Sequence, residues 1–123
     1  MKRVAIYIHH ATGGDWRTWQ PKMMQDHVSR QGNMVADTFV EIGYEGRNRR
    51  RPMLERVLQE CEGGSFDEVA IARISHLSRD TMEAVKIYER LKKCGVSLSV
   101  MEFGSSSRVD EFMKIYKAVG YGA

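Results

Sequence analysis

Three of the four histidines in this 123-residue chain fall in two short segments, and each segment closes an apolar run. The first is His9-His10-Ala11-Thr12, directly after Val4-Ala5-Ile6-Tyr7-Ile8; the second is Arg73-Ile74-Ser75-His76-Leu77-Ser78-Arg79, after Glu68 to Ala72. A third concentration, Arg47-Asn48-Arg49-Arg50-Arg51, puts four guanidiniums within five residues. Imidazoles and guanidiniums together hold oxyanions such as phosphate, while imidazoles alone also pass protons or ligate metals. Two histidines make an incomplete metal site, with Asp15 the nearest acid to His9 in sequence, so no metal is expected. Ser75 and Ser78 read as turn hydroxyls that bond local backbone.

These side chains act together only if the backbone gathers them. Short continuous apolar runs alternate with helically spaced ones, the pattern of a buried parallel sheet covered by helices. After the first strand, strands are expected at Met34 to Glu41, Glu68 to Ala72 and Val96 to Phe103. The first helix is expected from about Gln20 to Gln31, with Pro21 in its first turn, Met23, Met24, His27, Val28 and Gln31 on one face, and Gly32 as its cap. Pro52 opens a second helix whose inner face is Met53, Leu54, Val57, Leu58 and Cys61. Asp80 and Glu83 resemble a capping box heading a third, which buries Met82, Val85, Tyr88 and Leu91. A last short helix, Val109 to about Val119, places Val109, Phe112, Met113 and Tyr116 on one stripe.

The order βαβαβαβα predicts an α/β fold, a mainly parallel sheet of about four strands with helices on both faces in flavodoxin-like layering. Ligands in such folds lie at the carboxyl ends of strands, where His9 to Thr12 and Arg73 to Arg79 both fall. Length and the lack of any linker or repeat predict one domain, residues 1–103 with a C-terminal segment, 104–123, belonging to it. A net charge of +3 and pI near 9.0 permit an anionic partner without demanding one. There is no apolar run near the roughly twenty residues a membrane span needs, so a cytoplasmic protein is expected, with Cys61 and Cys94 as free thiols.

Taken in order, four pieces of the chain resemble the serine recombinases of the resolvase/invertase type, in their N-terminal catalytic domain. The pieces are Val4-Ala5-Ile6-Tyr7-Ile8, Gly43-Tyr44-Glu45-Gly46, Arg51-Pro52-Met53-Leu54 and Leu77-Ser78-Arg79, and the resemblance covers roughly residues 2 to 103. It implies in-line attack of a serine hydroxyl on a DNA phosphodiester, a 5′ phosphate left covalently on the enzyme, and arginines that neutralise the phosphoryl oxygens, with no cofactor. The family's Tyr-x-Arg-Val-Ser-Thr is met here by Tyr7-Ile8-His9-His10-Ala11-Thr12, so His9 replaces the arginine and Ala11 the serine. Its Asp-Arg-Leu-x-Arg is met by Ser75-His76-Leu77-Ser78-Arg79, so Ser75 replaces the acid and His76 another arginine; Arg51 and Arg79 remain.

Ala11 has no hydroxyl, so the expectation is a serine-recombinase-like domain, from a DNA recombination or integration context, that is inactive for strand cleavage. Weak, non-specific DNA contact is expected through Arg47, Arg49, Arg50, Arg51 and Arg79. The stripe Val109, Phe112, Met113 and Tyr116 is the expected interface, with a second copy or with an active recombinase. Family members continue into a long helix and a separate DNA-binding domain, whereas this chain supplies only the helix near 109–119. The histidines admit three readings: replacement after loss of catalysis, a phosphate-recognising pocket with Arg79, or new acid/base or metal chemistry. The enzyme alternative is a phosphoesterase or altered recombinase using His9, His76 and Thr12, although Thr12 follows Ala11 on the opposite side of an extended strand. A flavodoxin-like small-molecule binder is weakened by the short Thr12-Gly13-Gly14 glycine signal.

Overall fold

Five consecutive buried residues, Val4 to Ile8, make Arg3–His10 the central strand β1. A strand covered on both faces needs apolar side chains on both, hence an unbroken run instead of an alternation. The computed structural model describes residues 1–10, 16–42, 51–104 and 106–121. Positions Ala11, Thr12, Asp15, Arg47, Arg49 and Arg50, and the side chains of Trp16 and Trp19, lie outside the described residues.

β1 pairs in parallel with β2 (Met34–Ile42) on one side and β3 (Glu68–Ile71) on the other, and β3 pairs in parallel with β4 (Ser97–Val100). The order is therefore β2-β1-β3-β4. Partners advance from Val4↔Val35 to Ala5↔Asp37, so Ala36 forms a bulge in the edge strand, which discourages pairing with another chain. The first crossover runs outward from β1 in one direction, and the next two run in the other. Right-handed crossovers then place the first helix on one face and the rest on the opposite face. Accordingly, α1 (Trp16–Arg30) puts Met24 and Val28 over Val4, Ile6, Ile8 and Ala70. On the other side α2 (Pro52–Glu62), α3 (Thr81–Lys93) and α4 (Ser106–Tyr121) enclose Ala5, Tyr7, Val69, Ile71, Leu98 and Val100. The direction of winding reverses between β1 and β3, and the crevice at their carboxyl ends is where such sheets take ligands.

Several elements depart from the sequence expectation. Helix α1 starts at Trp16, not near Gln20, so Pro21 lies inside it and removes one backbone donor beyond the first turn. Met24 and Val28 are its buried apolar residues, His27 is half-buried, and Met23 and Gln31 are exposed, because one helix over a four-stranded face contacts it along a narrow stripe. β4 ends at Val100, and Met101–Phe103 form a 3-10 turn closed by Gly104 at φ +81°, a left-handed position that suits glycine. That turn brings the Glu102 backbone N–H to the Ala72 carbonyl at 3.2 Å and its carboxylate to the Ile74 N–H at 3.1 Å, holding the end of β3. In α3 the buried residues are Ala84, Val85, Ile87 and Leu91; Met82 is exposed and Tyr88 half-buried.

The cap of α3 is shared among three residues. Asp80 accepts from the N–H groups of Met82 and Glu83 at 2.9 and 3.3 Å, as a capping aspartate should. Glu83 does not reach back to the Asp80 N–H; the hydroxyl of buried Ser78 takes that donor at 3.0 Å and itself donates to Glu83 at 3.0 Å. Asp80→Ala should therefore lower stability by about 1 kcal/mol in urea unfolding; an unchanged midpoint would show that Ser78 and Glu83 suffice as the cap.

Helix α4 has 16 residues, longer than the short helix expected. Val109 and Met113 are buried against α3 and β4, at 0% and 1% exposure, so the stripe does not offer all four residues to a partner. Phe112 and Tyr116 are half-buried and stack in a row with Phe103, with successive ring centroids 4.9 Å apart. Tyr88 donates to Asp110, and Lys117 meets Glu89 at 2.7 Å, tying α4 to α3. Both cysteines are free, with Cys61 in the core, where burial pushes its thiol up to about 12.

Candidate functional site at the sheet switch point

The crevice between β1 and β3 receives His9 and His10 from the last two residues of β1. It also receives the segment after β3: exposed Arg73, the 3-10 turn Ile74–His76, then Leu77. The rings of His9 and His76 meet edge to face, with centroids 5.9 Å apart and planes at 65°. Burial, then the neighbouring His9, Arg73, Arg51 and His10, lower the His76 imidazole to about 4. These neighbours are all basic, and His76 is neutral at pH 7. Its Nδ1 is buried without a hydrogen-bond partner among the described residues.

Arg51, half-buried just ahead of α2, aims its Nη1 at the same turn and donates to the carbonyls of His76 at 2.6 Å and Leu77 at 2.5 Å. Beneath it lies Glu41 of β2, 1% exposed. One of its oxygens accepts from the Tyr7 hydroxyl at 2.9 Å and the Leu54 N–H at 3.1 Å, the other from the Met53 N–H at 3.1 Å. Arg51 occupies the N-cap position of α2 without a side-chain capping bond, so the carboxylate that covers the helix start comes from a different strand. Burial, reinforced by Glu41, pushes the Tyr7 phenol well above its ordinary range, so it stays protonated and donates.

The family model for the resolvase N-terminal domain matches residues 5–119. The chain belongs to this family. No curated protein matches the sequence. Among solved structures, the N-terminal catalytic domain of TP901-1 integrase is similar at 22% identity and a TM-score of 0.82, covering 98% of this chain and 95% of that one. A resolvase family site-specific recombinase from Streptococcus pneumoniae has 16% identity and a TM-score of 0.76, with 97% and 85% covered. The C-terminal catalytic domain of ISC1926 TnpA, an IS607-like serine recombinase, has 24% identity and a TM-score of 0.71, with 92% and 79% covered. At these identities the likeness is one of fold.

Within this resolvase-type domain, the candidate residues divide into three groups. His9, His76 and Arg51 come together at the crevice. Ser75 and Arg79 are exposed, one in the 3-10 turn and one just before α3, and Arg79 has no hydrogen bond or ion pair among the described residues. Of the guanidiniums, Arg73 and Arg51 act on His76. Ala11, Thr12, Arg47, Arg49 and Arg50 lie outside the described residues. Sequence reasoning missed Glu41, although a signal existed: α2 begins with Arg51-Pro52 and no Ser, Thr, Asp or Asn, so its first N–H groups needed an acceptor from elsewhere. It also missed Gln20 of α1, 3% exposed, whose carbonyl oxygen is buried and unpartnered among the described residues. No set of three or more metal-ligating residues occurs among the described residues, and no described helix is long and apolar enough to cross a membrane.

Proposed function

We propose that this resolvase-family domain does not cut DNA by the serine route and serves as a non-cleaving member of a recombination system, holding DNA or protein partners. The observation that carries the reading is the state of His76. Family chemistry asks for fixed positive charge on the phosphoryl oxygens, and this position holds an imidazole lowered to about 4, hence neutral at pH 7. Ala11 adds the second deficit, because no oxygen stands at the nucleophile position. Losses of this kind compound, since residues that act as a unit fail together.

Supercoiled-plasmid nicking, with and without divalent metal, tests the proposal directly. The wild-type chain should leave the plasmid intact. Ala11→Ser should form no covalent protein–DNA adduct on denaturing gels, whereas a triple change, Ala11→Ser with His9→Arg and His76→Arg, restores both deficits and is the variant in which an adduct is expected. An adduct with Ala11→Ser alone would show that the histidines suffice. Wild-type nicking that disappears in His76→Ala would overturn the reading in favour of a rebuilt enzyme using His9, His76 and Thr12.

A further inference from the structure

We infer that Arg51 is a positioning residue that holds the turn carrying His76 against His9, and that exposed Arg73, outside the family's motif, adds a DNA phosphate contact at this strand end beside Arg79. The inference rests on the non-cleaving reading above and assigns the site's guanidiniums to separate tasks.

Arg51 precedes Pro52, which restricts it to extended conformations, and it sits at φ −129°, ψ 80° at the start of α2. The start of α2 is itself pinned, because the Met53 and Leu54 N–H groups are bound by Glu41 and Glu41 by Tyr7. The Arg51 side chain therefore leaves from a fixed point. It ends on the carbonyls of His76 and Leu77, at the C-terminal end of a 3-10 turn, where carbonyls lack partners within the turn. One nitrogen, Nη1 at the far end of the side chain, bridges the two acceptors with its two hydrogens, a reach that the shorter lysine side chain lacks. Leu77, the second residue held, is 1% exposed, so the contact also anchors the segment in the core. For Nη1 of Arg51 to grip a phosphate it would have to abandon both carbonyls.

Arg73 and Arg79 are placed differently. They flank the same turn, are exposed, and their side chains make no hydrogen bond or ion pair among the described residues. They can meet an anion without breaking anything. His76 is held by its own carbonyl from one side and faces His9 on the other, which keeps an unpartnered Nδ1 buried. The ring stays there because the turn is clamped, and releasing the clamp should let it reach water.

Two readouts on the full chain separate the roles. In a histidine-resolved NMR titration, wild-type His76 should titrate near 4. Arg51→Lys keeps the positive charge on a side chain whose nitrogen stops short of the arginine Nη1, which loosens the two-carbonyl contact, and His76 should move toward its ordinary 6.5. If Arg51 acted through charge alone, His76 would stay near 4 in this variant, and that result overturns the positioning role; so does a wild-type titration at the ordinary value. In duplex DNA binding against salt, Arg73→Gln and Arg79→Gln should each flatten the log–log slope by about 0.9. Arg51→Gln should leave the slope unchanged. A flatter slope with Arg51→Gln, or no DNA binding by the wild type, overturns the assignment of phosphate contact. Arg73 and Arg79 are surface residues, so their arm survives even if Arg51→Gln fails to fold. Nicking or a covalent adduct would instead count against the non-cleaving reading, while leaving both readouts intact.

Discussion

Glu41→Ala is expected to lower the unfolding free energy by about 3–4 kcal/mol, a large share of the stability of a domain this size. The carboxylate is 1% exposed and takes three donors: the Tyr7 hydroxyl and the Met53 and Leu54 N–H groups. Removing it strands the buried Tyr7 and Leu54 donors and the part-buried Met53 N–H, and the penalty for unpaired buried donors exceeds the net worth of the bonds themselves. It also removes the negative charge at the start of α2, where the peptide dipoles favour one. Tyr7→Phe deletes one donor together with its need, and should cost only about 1 kcal/mol. Urea unfolding at pH 7 gives both values. If Glu41→Ala falls within about 0.5 kcal/mol of wild type, the range of an ordinary surface change, the carboxylate is not the anchor described.

The second large effect is an acid limb in stability that originates at His76. Its folded value is near 4 against an ordinary 6.5. Between those values the unfolded chain binds a proton that the folded chain refuses, so stability rises with pH across this window. Conversely, the contribution is complete above about 6.5 and is lost as pH falls to about 4. The full difference corresponds to about 3 kcal/mol, and partial exposure of the ring reduces this to about 2 kcal/mol. His27, half-buried with Nε2 2.8 Å from the Ser99 hydroxyl, is lowered by burial too and adds a limb of the same sign. Urea unfolding at pH 7 and pH 4.5 should therefore show a steep loss in the wild type and a much shallower one in His76→Asn. Parallel curves for the two proteins would mean that His76 is neither buried nor surrounded by cations in solution.

Both predictions come from groups that a linear reading weighted differently. His76 was conspicuous because it stands in a seven-residue segment with two arginines and two serines. Glu41 was not, because an acid at the end of a half-exposed strand reads as a solvent-facing residue until α2 is folded over it. The interface stripe shows the same limit on α4. Val109, Phe112, Met113 and Tyr116 do share a side of the helix, but periodicity names a side without saying what lies against it. Here Val109 and Met113 face α3 and β4, while Ile115 and Val119, outside the stripe, are 66% and 67% exposed. The overlong β4 has a related cause. The run Val96 to Phe103 is rich in strand formers, and the chain leaves the sheet at Met101 because Glu102 bonds the Ala72 carbonyl and the Ile74 N–H.

What the amino-acid order determined by itself was the alternation of strand and helix, the parallel sheet, the membership of a strand-end site and the absence of a hydroxyl at position 11. These follow from local properties: side-chain period, capping and turn residues, and the identity of single side chains. Only the tertiary structure decided the state of that site. The burial of His76 beside His9, the commitment of Arg51 to two carbonyls and the carriage of the α2 cap by Glu41 each join residues from different elements. Desolvation and hydrogen-bond partnership depend on what surrounds a group in space, and that is set when β1, β2, α2 and the turn after β3 pack together.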